Sequence, residues 1–278
     1  MPDQSNTPGQ NSEKKHVTRR TALERGAGFA AIGAASALAS AVSVSPAAAA
    51  SGPAPHAGAW DPKADALPKE VAGVRIPTSE VAVETAAFVR RVSSETLFNH
   101  VMRTYVFSAL LFDRRGVRYD RELAFLAAAL HDLGLVETYQ TQAERFEVDG
   151  ADAARRFLRS RRMPAERVEV VWDAIALHTS VGIATRKRPE IAMICVGSGL
   201  DFAGNDLQQI PSDILEEILT AFPRKGFKQD AIDNILSLCR TKPTSVLMHP
   251  FAEVGRRHIP DFPVPTVEDL LLAAPFED

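Results

Sequence analysis

Apolar residues at helical spacing run through most of this chain, and they constrain its fold more than any other feature. In residues 94–112, Leu97, Val101 and Tyr105 follow one another at intervals of four, which puts them on one helix face. We find no sustained alternation of apolar and polar residues of the kind that is typical of strands. Aromatic residues make up only 7% of the chain while alanine is abundant, which favours helices over a sheet. The sequence therefore predicts an all-α fold.

Glycine, proline and capping residues mark where the predicted helices begin and end. Gly134 is placed to end the apolar helix that starts at Arg121, and Pro189 opens another helix in its first turn. The predicted helices span residues 80–92, 94–112, 121–133, 150–161, 166–180, 189–203, 211–222 and 229–239.

Length and charge limit the classes of function. A chain of 278 residues with 45% hydrophobic content can bury a core as one domain or at most two. Its formal net charge of -3 gives no basic field, so we expect a small-molecule partner and no nucleic acid. Cys195 and Cys239 form no CxxC pair, and whether they form a disulfide stays open, as does assembly into a homo-oligomer.

The first fifty residues are typical of a targeting signal. Arg19 and Arg20 precede an uncharged stretch, residues 26–50, which is rich in small residues and ends in several small-x-small cleavage sites. The paired arginines resemble a twin-arginine signal, although Ala22 and Glu24 depart from its usual pattern. We expect export to the periplasm or the extracellular space. An uncleaved anchor is disfavoured by the Ala/Gly/Ser content, so no stable membrane insertion is expected after cleavage.

After this leader the sequence divides into two further parts. Residues 51–78 are rich in proline, glycine and alanine and indicate an extended arm. Residues 79–278 carry the predicted helices and form the expected domain, with a helical extension at its C-terminal end.

Four metal-type ligands stand inside apolar helical patterns. They are His100, the adjacent pair His131 and Asp132, and Asp201. Burying imidazoles and carboxylates among leucine and alanine is costly unless something compensates them, and one divalent cation can compensate all four. Because the set contains no thiolate, a catalytic site with an open position is favoured over a structural zinc site.

These residues and their neighbours resemble a known family. The segments FNHVMRTY, LAAALHDLGL, RFEVDGADAARRFL and AIALHTSVGIA are followed by a Gly-x-Gly-x-Asp stretch in residues 197–204. In this order they resemble the HD-domain superfamily, and its cyanamide hydratase-like branch in particular. The resemblance implies an HD-domain helical bundle around a metal site held by His100, His131, Asp132 and Asp201. It also implies a hydrolase or hydro-lyase in which metal-bound hydroxide attacks a small neutral substrate such as a nitrile. One divalent ion is expected, with zinc favoured and iron or manganese as alternatives.

Further residues are candidates for the pocket. We interpret His178, at the end of an apolar helical run, as a catalytic residue, because imidazole titrates near neutrality; a hydrogen-bonded core histidine is the alternative. The candidates for substrate binding are Arg103, Arg145, Phe146 and Thr179, although Arg103 could equally lie on a solvated helix face. His249 and His258 are expected at the surface.

Two other functions stay open at this stage. An HD-type phosphohydrolase acting on nucleotides or phosphoesters is suggested by the arginine-rich helix after residue 154. Aliphatic residues follow Asp132, and the first acidic residue beyond it is Glu137. This absence of a nearby acidic residue makes the phosphohydrolase hypothesis weaker than the hydratase hypothesis. A non-catalytic helical binding protein that keeps its metal for stability is the third hypothesis.

Overall fold

A computed structural model describes residues 67–276, and helices account for 67% of them, which confirms the all-α prediction. Of the described residues, 67–264 form one compact unit, and 265–276 belong to a second. The elements of the first unit are β1 (Glu70–Val71), β2 (Val74–Arg75), α1 (Glu80–Val92), α2 (Glu95–Arg114), α3 (Arg121–Leu130), α4 (Phe146–Ser160), α5 (Ala165–Ala176), α6 (Pro189–Ala203), α7 (Ser212–Ala221), α8 (Phe227–Thr241) and α9 (Phe251–His258). The second unit contributes α10 (Val267–Leu272).

The predicted leader, residues 1–50, and most of the predicted arm lie outside the described residues. None of the helices between residues 67 and 276 is both long and apolar enough to cross a membrane.

A short β-hairpin lies where the sequence predicted an extended arm. β1 and β2 pair antiparallel, and the turn residues Ala72 and Gly73 have φ angles of 52° and 77°, as a two-residue hairpin turn requires. Val71 and Val74 are buried in the main hydrophobic core. The predicted arm is therefore folded from residue 70 onward. Burial of these apolar side chains is more favourable than their exposure to water in an extended chain.

Local signals place the helices that carry the site. The Ser94 side chain accepts a hydrogen bond from the Leu97 amide at 3.1 Å and so caps α2, and Asp120 caps α3 in the same way at 3.0 Å. Later in the chain, Pro189 opens α6 and Gly204, with a φ of 79°, closes it.

The end of α3 differs from the prediction, and this difference shapes the site. α3 ends at Leu130, and Gly134 lies in a 3₁₀ turn, Leu133–Leu135, instead of capping the helix. A Cβ atom on Gly134 would lie 1.9 Å from the carbonyl oxygen of Phe146. Glycine is therefore needed there because the backbone of α4 passes so close, and not because the chain turns left-handed.

α2 lies at the centre of the domain, since every residue from Leu97 to Phe112 is buried. α6 packs tightly against it: a Cβ atom on Gly197 would lie 2.2 Å from the carbonyl oxygen of Thr104. A smaller apolar cluster lies among residues 235–264, under α8 and α9. Cys195 belongs to the main core and Cys239 to the smaller cluster, and both thiols are free.

Candidate metal centre

Three of the four predicted ligands meet in one buried cluster. His100 comes from α2, and His131 and Asp132 from the turn after α3. Their potential ligand atoms all lie within 4.8 Å of one another. The Oδ2 atom of Asp132 is 3.4 Å from Nε2 of His100 and 3.3 Å from Nε2 of His131. The end of α3 thus brings two adjacent residues to the same point as a side chain from the central helix.

The His131 imidazole is held in the form that a metal ion needs. Its Nδ1 atom donates a hydrogen bond to the carbonyl oxygen of Ala128 at 2.8 Å, which leaves the lone pair on Nε2. Burial lowers the pKa of His131 to about 3, even though the neighbouring Asp132 carboxylate opposes this change. The ring is therefore neutral at physiological pH.

The Nε2 atom of His131 is a buried polar atom without a hydrogen-bond partner among the described residues. An orphaned buried acceptor is costly, and a metal ion would compensate it. Although burial alone would raise the pKa of Asp132, the imidazoles of His131 and His100 hold it below its usual range. Two imidazoles and one ionised carboxylate suit a divalent ion such as zinc, iron or manganese, so the residues present fit the predicted metal.

Asp201, the fourth predicted ligand, lies behind His100. Its Oδ2 atom accepts a hydrogen bond from Nδ1 of His100 at 2.7 Å. Arg103 binds the same carboxylate in a bidentate manner, from Nε to Oδ1 and from Nη2 to Oδ2, both at 2.8 Å. Arg224 adds a contact of 2.7 Å to Oδ1. Burial would raise the pKa of Asp201, but His100 and Arg103 lower it well below its usual range.

Asp201 is the one predicted ligand that the structure does not bring into the cluster. With both oxygens engaged by guanidinium groups and His100, Asp201 is not a member of the three-residue cluster. A carboxylate that accepts a hydrogen bond from the far nitrogen of a metal-binding histidine orients the ring and raises its basicity. The geometry points to that orienting role.

Arg103 is likewise not where a substrate ligand would be. Its side chain is fully buried, and its Nη1 atom donates to the carbonyl oxygens of Phe222 and Pro223, both at 3.0 Å. The guanidinium therefore faces the protein interior and is not among the residues that line the cavity. Its charge is paired with the buried carboxylate of Asp201.

His178 reaches the same centre from the end of α5. Its Nδ1 atom donates to the carbonyl oxygen of Ile175 at 2.7 Å, which leaves Nε2 3.7 Å from Oδ1 of Asp132. The ring packs edge-on against His131, with 4.9 Å between ring centroids. Both hypotheses for this residue thus describe part of what is seen: the ring is anchored to a core carbonyl, and its free nitrogen faces the cluster.

A cavity of about 260 Å³ opens onto these groups. His100, His131, Asp132 and His178 line it together with Phe146 and Thr179, two of the predicted substrate-binding residues. Most of the remaining lining side chains are apolar: Leu97, Leu135, Val181, Phe202, Ala203, Phe227, Ala231, Ile235 and Phe251. Lysine and arginine are absent from the described residues that line the cavity.

Beside the pocket lies a buried polar group that the sequence interpretation missed. Glu147 accepts hydrogen bonds from Arg145 at 2.5 Å, from the Thr179 hydroxyl, and from Nε2 of His249 at 3.0 Å. Burial would raise the pKa of Glu147, but His249 and Arg145 lower it. Arg145, a predicted substrate contact, is thus paired to Glu147 and is not among the residues that line the cavity.

His249 corrects the expectation of two surface histidines, because it is buried and lines the pocket, whereas His258 is exposed as expected. The sequence around His249 offers only a following proline, and the partner Glu147 lies 102 residues away. Glu147 itself stands in the motif segment RFEVDG, two residues after Arg145.

Comparison with known families agrees with this geometry. Residues 97–220 match the family model of the HD domain, and this segment contains His100, His131, Asp132, His178 and Asp201. No curated protein matches the chain. The match supports membership of residues 97–220 in the HD superfamily. Together with the His/His/Asp cluster, it supports the activity of a metal-dependent hydrolase. α8 and α9, which form part of the pocket wall, follow the matched segment.

Proposed function

We propose that this HD-domain protein is a hydratase or hydrolase that adds water to a small neutral electrophile such as a nitrile, in the manner of the cyanamide hydratase-like branch. His100, His131 and Asp132 would hold one divalent ion, for which zinc is our first candidate. When bound, such an ion supplies Lewis acidity and lowers the pKa of a bound water to about 7.

The observation that carries the proposal is the charge of the pocket wall. Sites that bind phosphate use arginine, lysine or helix N-termini to meet its negative charge. The described residues around this cavity provide no lysine or arginine, and they do provide the carboxylates of Asp132 and Asp230. Beyond the bound ion and the first turns of α4, α8 and α9, a phosphoester would find no positive group in this wall, whereas a neutral molecule needs none.

The arginine-rich helix that suggested a phosphohydrolase does not change this conclusion. Arg155 pairs with Glu169 at 2.7 Å, and Arg161, just after the helix, pairs with Glu84 at 2.8 Å. Neither these two nor the other arginines of the run, Arg156, Arg159 and Arg162, line the cavity.

The chain's own residues have distinct parts in the proposed reaction. Asp201 holds His100 with its Nε2 atom towards Asp132, and Ala128 does the same for His131. His178 has a free Nε2 atom on the cavity side, where it can take a proton from the attacking water and return it to the nitrile nitrogen. Addition of water to R–C≡N then gives the amide R–C(O)NH₂, with no other co-reactant.

Metal analysis of the purified protein, followed by two assays, tests the proposal. We expect about one divalent ion per chain, conversion of simple nitriles to amides, and no phosphate release from a panel of nucleotides and phosphoesters. Phosphate release with no nitrile conversion would replace the proposal with the phosphohydrolase alternative. Bound metal that raises the melting temperature, with both assays silent, would favour the binding protein.

Replacing His178 with asparagine should lower kcat without removing the metal. A positioned general acid or base contributes roughly 10²–10⁴-fold to a rate, so we expect a loss of about 100-fold or more. His258→Asn is the matched control, because His258 is exposed on α9, and it should leave both kcat and metal content unchanged. Loss of the metal from His178→Asn would instead make His178 a ligand.

A further inference from the structure

One face of α8 forms a wall of the pocket outside the matched family segment. Its lining residues recur at intervals of one, three and four, which keeps them on one side of a helix: Phe227, Asp230, Ala231, Asn234 and Ile235. The Phe227 ring stacks on His100, with 4.8 Å between ring centroids. This wall therefore begins beside a metal ligand, and Asp230 follows Phe227 by one helical turn.

The Asp230 carboxylate is an acceptor with spare capacity. Its hydrogen-bond partner among the described residues is Nδ2 of Asn234, at 3.3 Å, and no cation pairs with it there. Partial burial and the nearby Asp233 raise its pKa, and the hydrogen bond from Asn234 offsets this only in part. A carboxylate offers about four acceptor positions, and the described protein groups use one of them on this side chain, which lines the cavity.

The rest of the pocket suits an apolar body. Phe146, Phe202, Phe227 and Phe251 line it, and Val181 and Phe202 remain 78% and 55% exposed although both belong to its wall. Exposed apolar side chains at a cavity gain free energy when a ligand covers them. The volume of about 260 Å³ lies just below the roughly 300–1,000 Å³ typical of pockets for drug-sized ligands. A molecule of three heavy atoms such as cyanamide would leave most of it empty.

We propose that the substrate of this site is a compact organic molecule whose apolar body fills the pocket and which donates a neutral N–H or O–H to the Asp230 carboxylate. This inference rests on the proposed function only for the reacting group. It assigns to α8, and to Asp230 in particular, the selection of substrate.

Binding of matched amides tests the inference without turnover, because an amide is the expected product of nitrile hydration. The metal-loaded full chain would be titrated calorimetrically with 3- and 4-aminobenzamide and with 3- and 4-methylbenzamide. Within each pair, the amino compound carries a neutral N–H donor where the methyl compound carries a group of similar size that cannot donate. We expect at least one amino isomer to bind about tenfold tighter than its methyl counterpart, and Asp230→Asn to reduce this preference to less than threefold.

Asp233→Asn is the matched control, since Asp233 is an exposed acidic residue on the same helix that the cavity does not reach. It should keep the tenfold preference. Equal affinity within each pair, a preference that survives Asp230→Asn, or no binding of either ligand would each overturn the inference. Nitrile conversion measured beside it separates the two proposals. Conversion without an amino preference overturns this inference alone, whereas the preference without conversion overturns the proposed function alone.

Discussion

Asp132→Asn should lose its metal and its activity together. Asp132 approaches Nε2 of His100, His131 and His178 within 3.3–3.7 Å, so its carboxylate is the anionic centre of the cluster. Asparagine has nearly the same volume but no charge, so the fold should persist while the site loses its only ionised ligand. Mutation of a residue that only orients a ligand lowers metal affinity about 10–100-fold, and we expect Asp132→Asn to lower it more than 100-fold. Metal content after dialysis and the rate of nitrile conversion measure this.

Asp201→Asn gives the informative comparison. If Asp201 orients His100, its replacement should lower metal affinity by about 10–100-fold, as is typical of orienting residues. Stability should fall more than in Asp132→Asn, because Arg103 would be left fully buried beside a neutral partner; breaking a buried pair costs about 3–5 kcal/mol. Equal metal loss in the two variants would make Asp201 a direct ligand. An Asp132→Asn protein with its full complement of metal would contradict our assignment of the centre.

Gly197→Ala should destabilise the domain by about 3 kcal/mol or more, at or above the upper end of overpacking effects. The added Cβ atom would lie 2.2 Å from the Thr104 carbonyl oxygen and 2.9 Å from Cβ of Ser108. Both neighbours belong to α2, so relief requires α2 and α6 to separate. For a domain of this size the loss corresponds to a fall in Tm of roughly 6–12 °C. Thermal unfolding followed by circular dichroism measures it.

Gly199→Ala, two residues further along α6, is the matched control. Its Cβ atom would meet only Nδ2 of the Asn205 side chain, at 3.1 Å, and that side chain can move. Alanine also favours a helix interior over glycine by up to about 1 kcal/mol. The Tm should therefore change by less than about 3 °C. A Gly197→Ala protein as stable as Gly199→Ala would mean that the two helices are not in close contact.

The sequence allowed the helices, and much of the cluster, to be predicted, because both depend on local patterns. Helical spacing is repeated over several turns, so α2 and α6 were located almost to their ends. His131 and Asp132 are adjacent, and their position at the end of an apolar helix already implied a shared point beyond it. The family resemblance supplied the order that relates them to His100.

What could not be predicted depends on partners distant in the chain. Asp201 is paired with Arg103, 98 residues away, and the buried His249 with Glu147, 102 residues away. Gly134 looked like a helix terminator because its own neighbours carry that signal, whereas the reason for glycine is the backbone of Phe146. The hairpin of residues 70–75 is too short for alternation to be recognised.

The burial of the metal-type ligands has a consequence for kinetics. His100, His131 and Asp132 are 4%, 0% and 6% exposed, and they line the same cavity as the apolar wall. An ion on its way to or from these residues through that cavity must shed much of its hydration shell between apolar side chains. Exchange by this route would be slow, and a substrate bound in the cavity would slow it further by occupying the passage. Catalytic turnover would then protect the holoprotein against chelators without any additional contact to the ion.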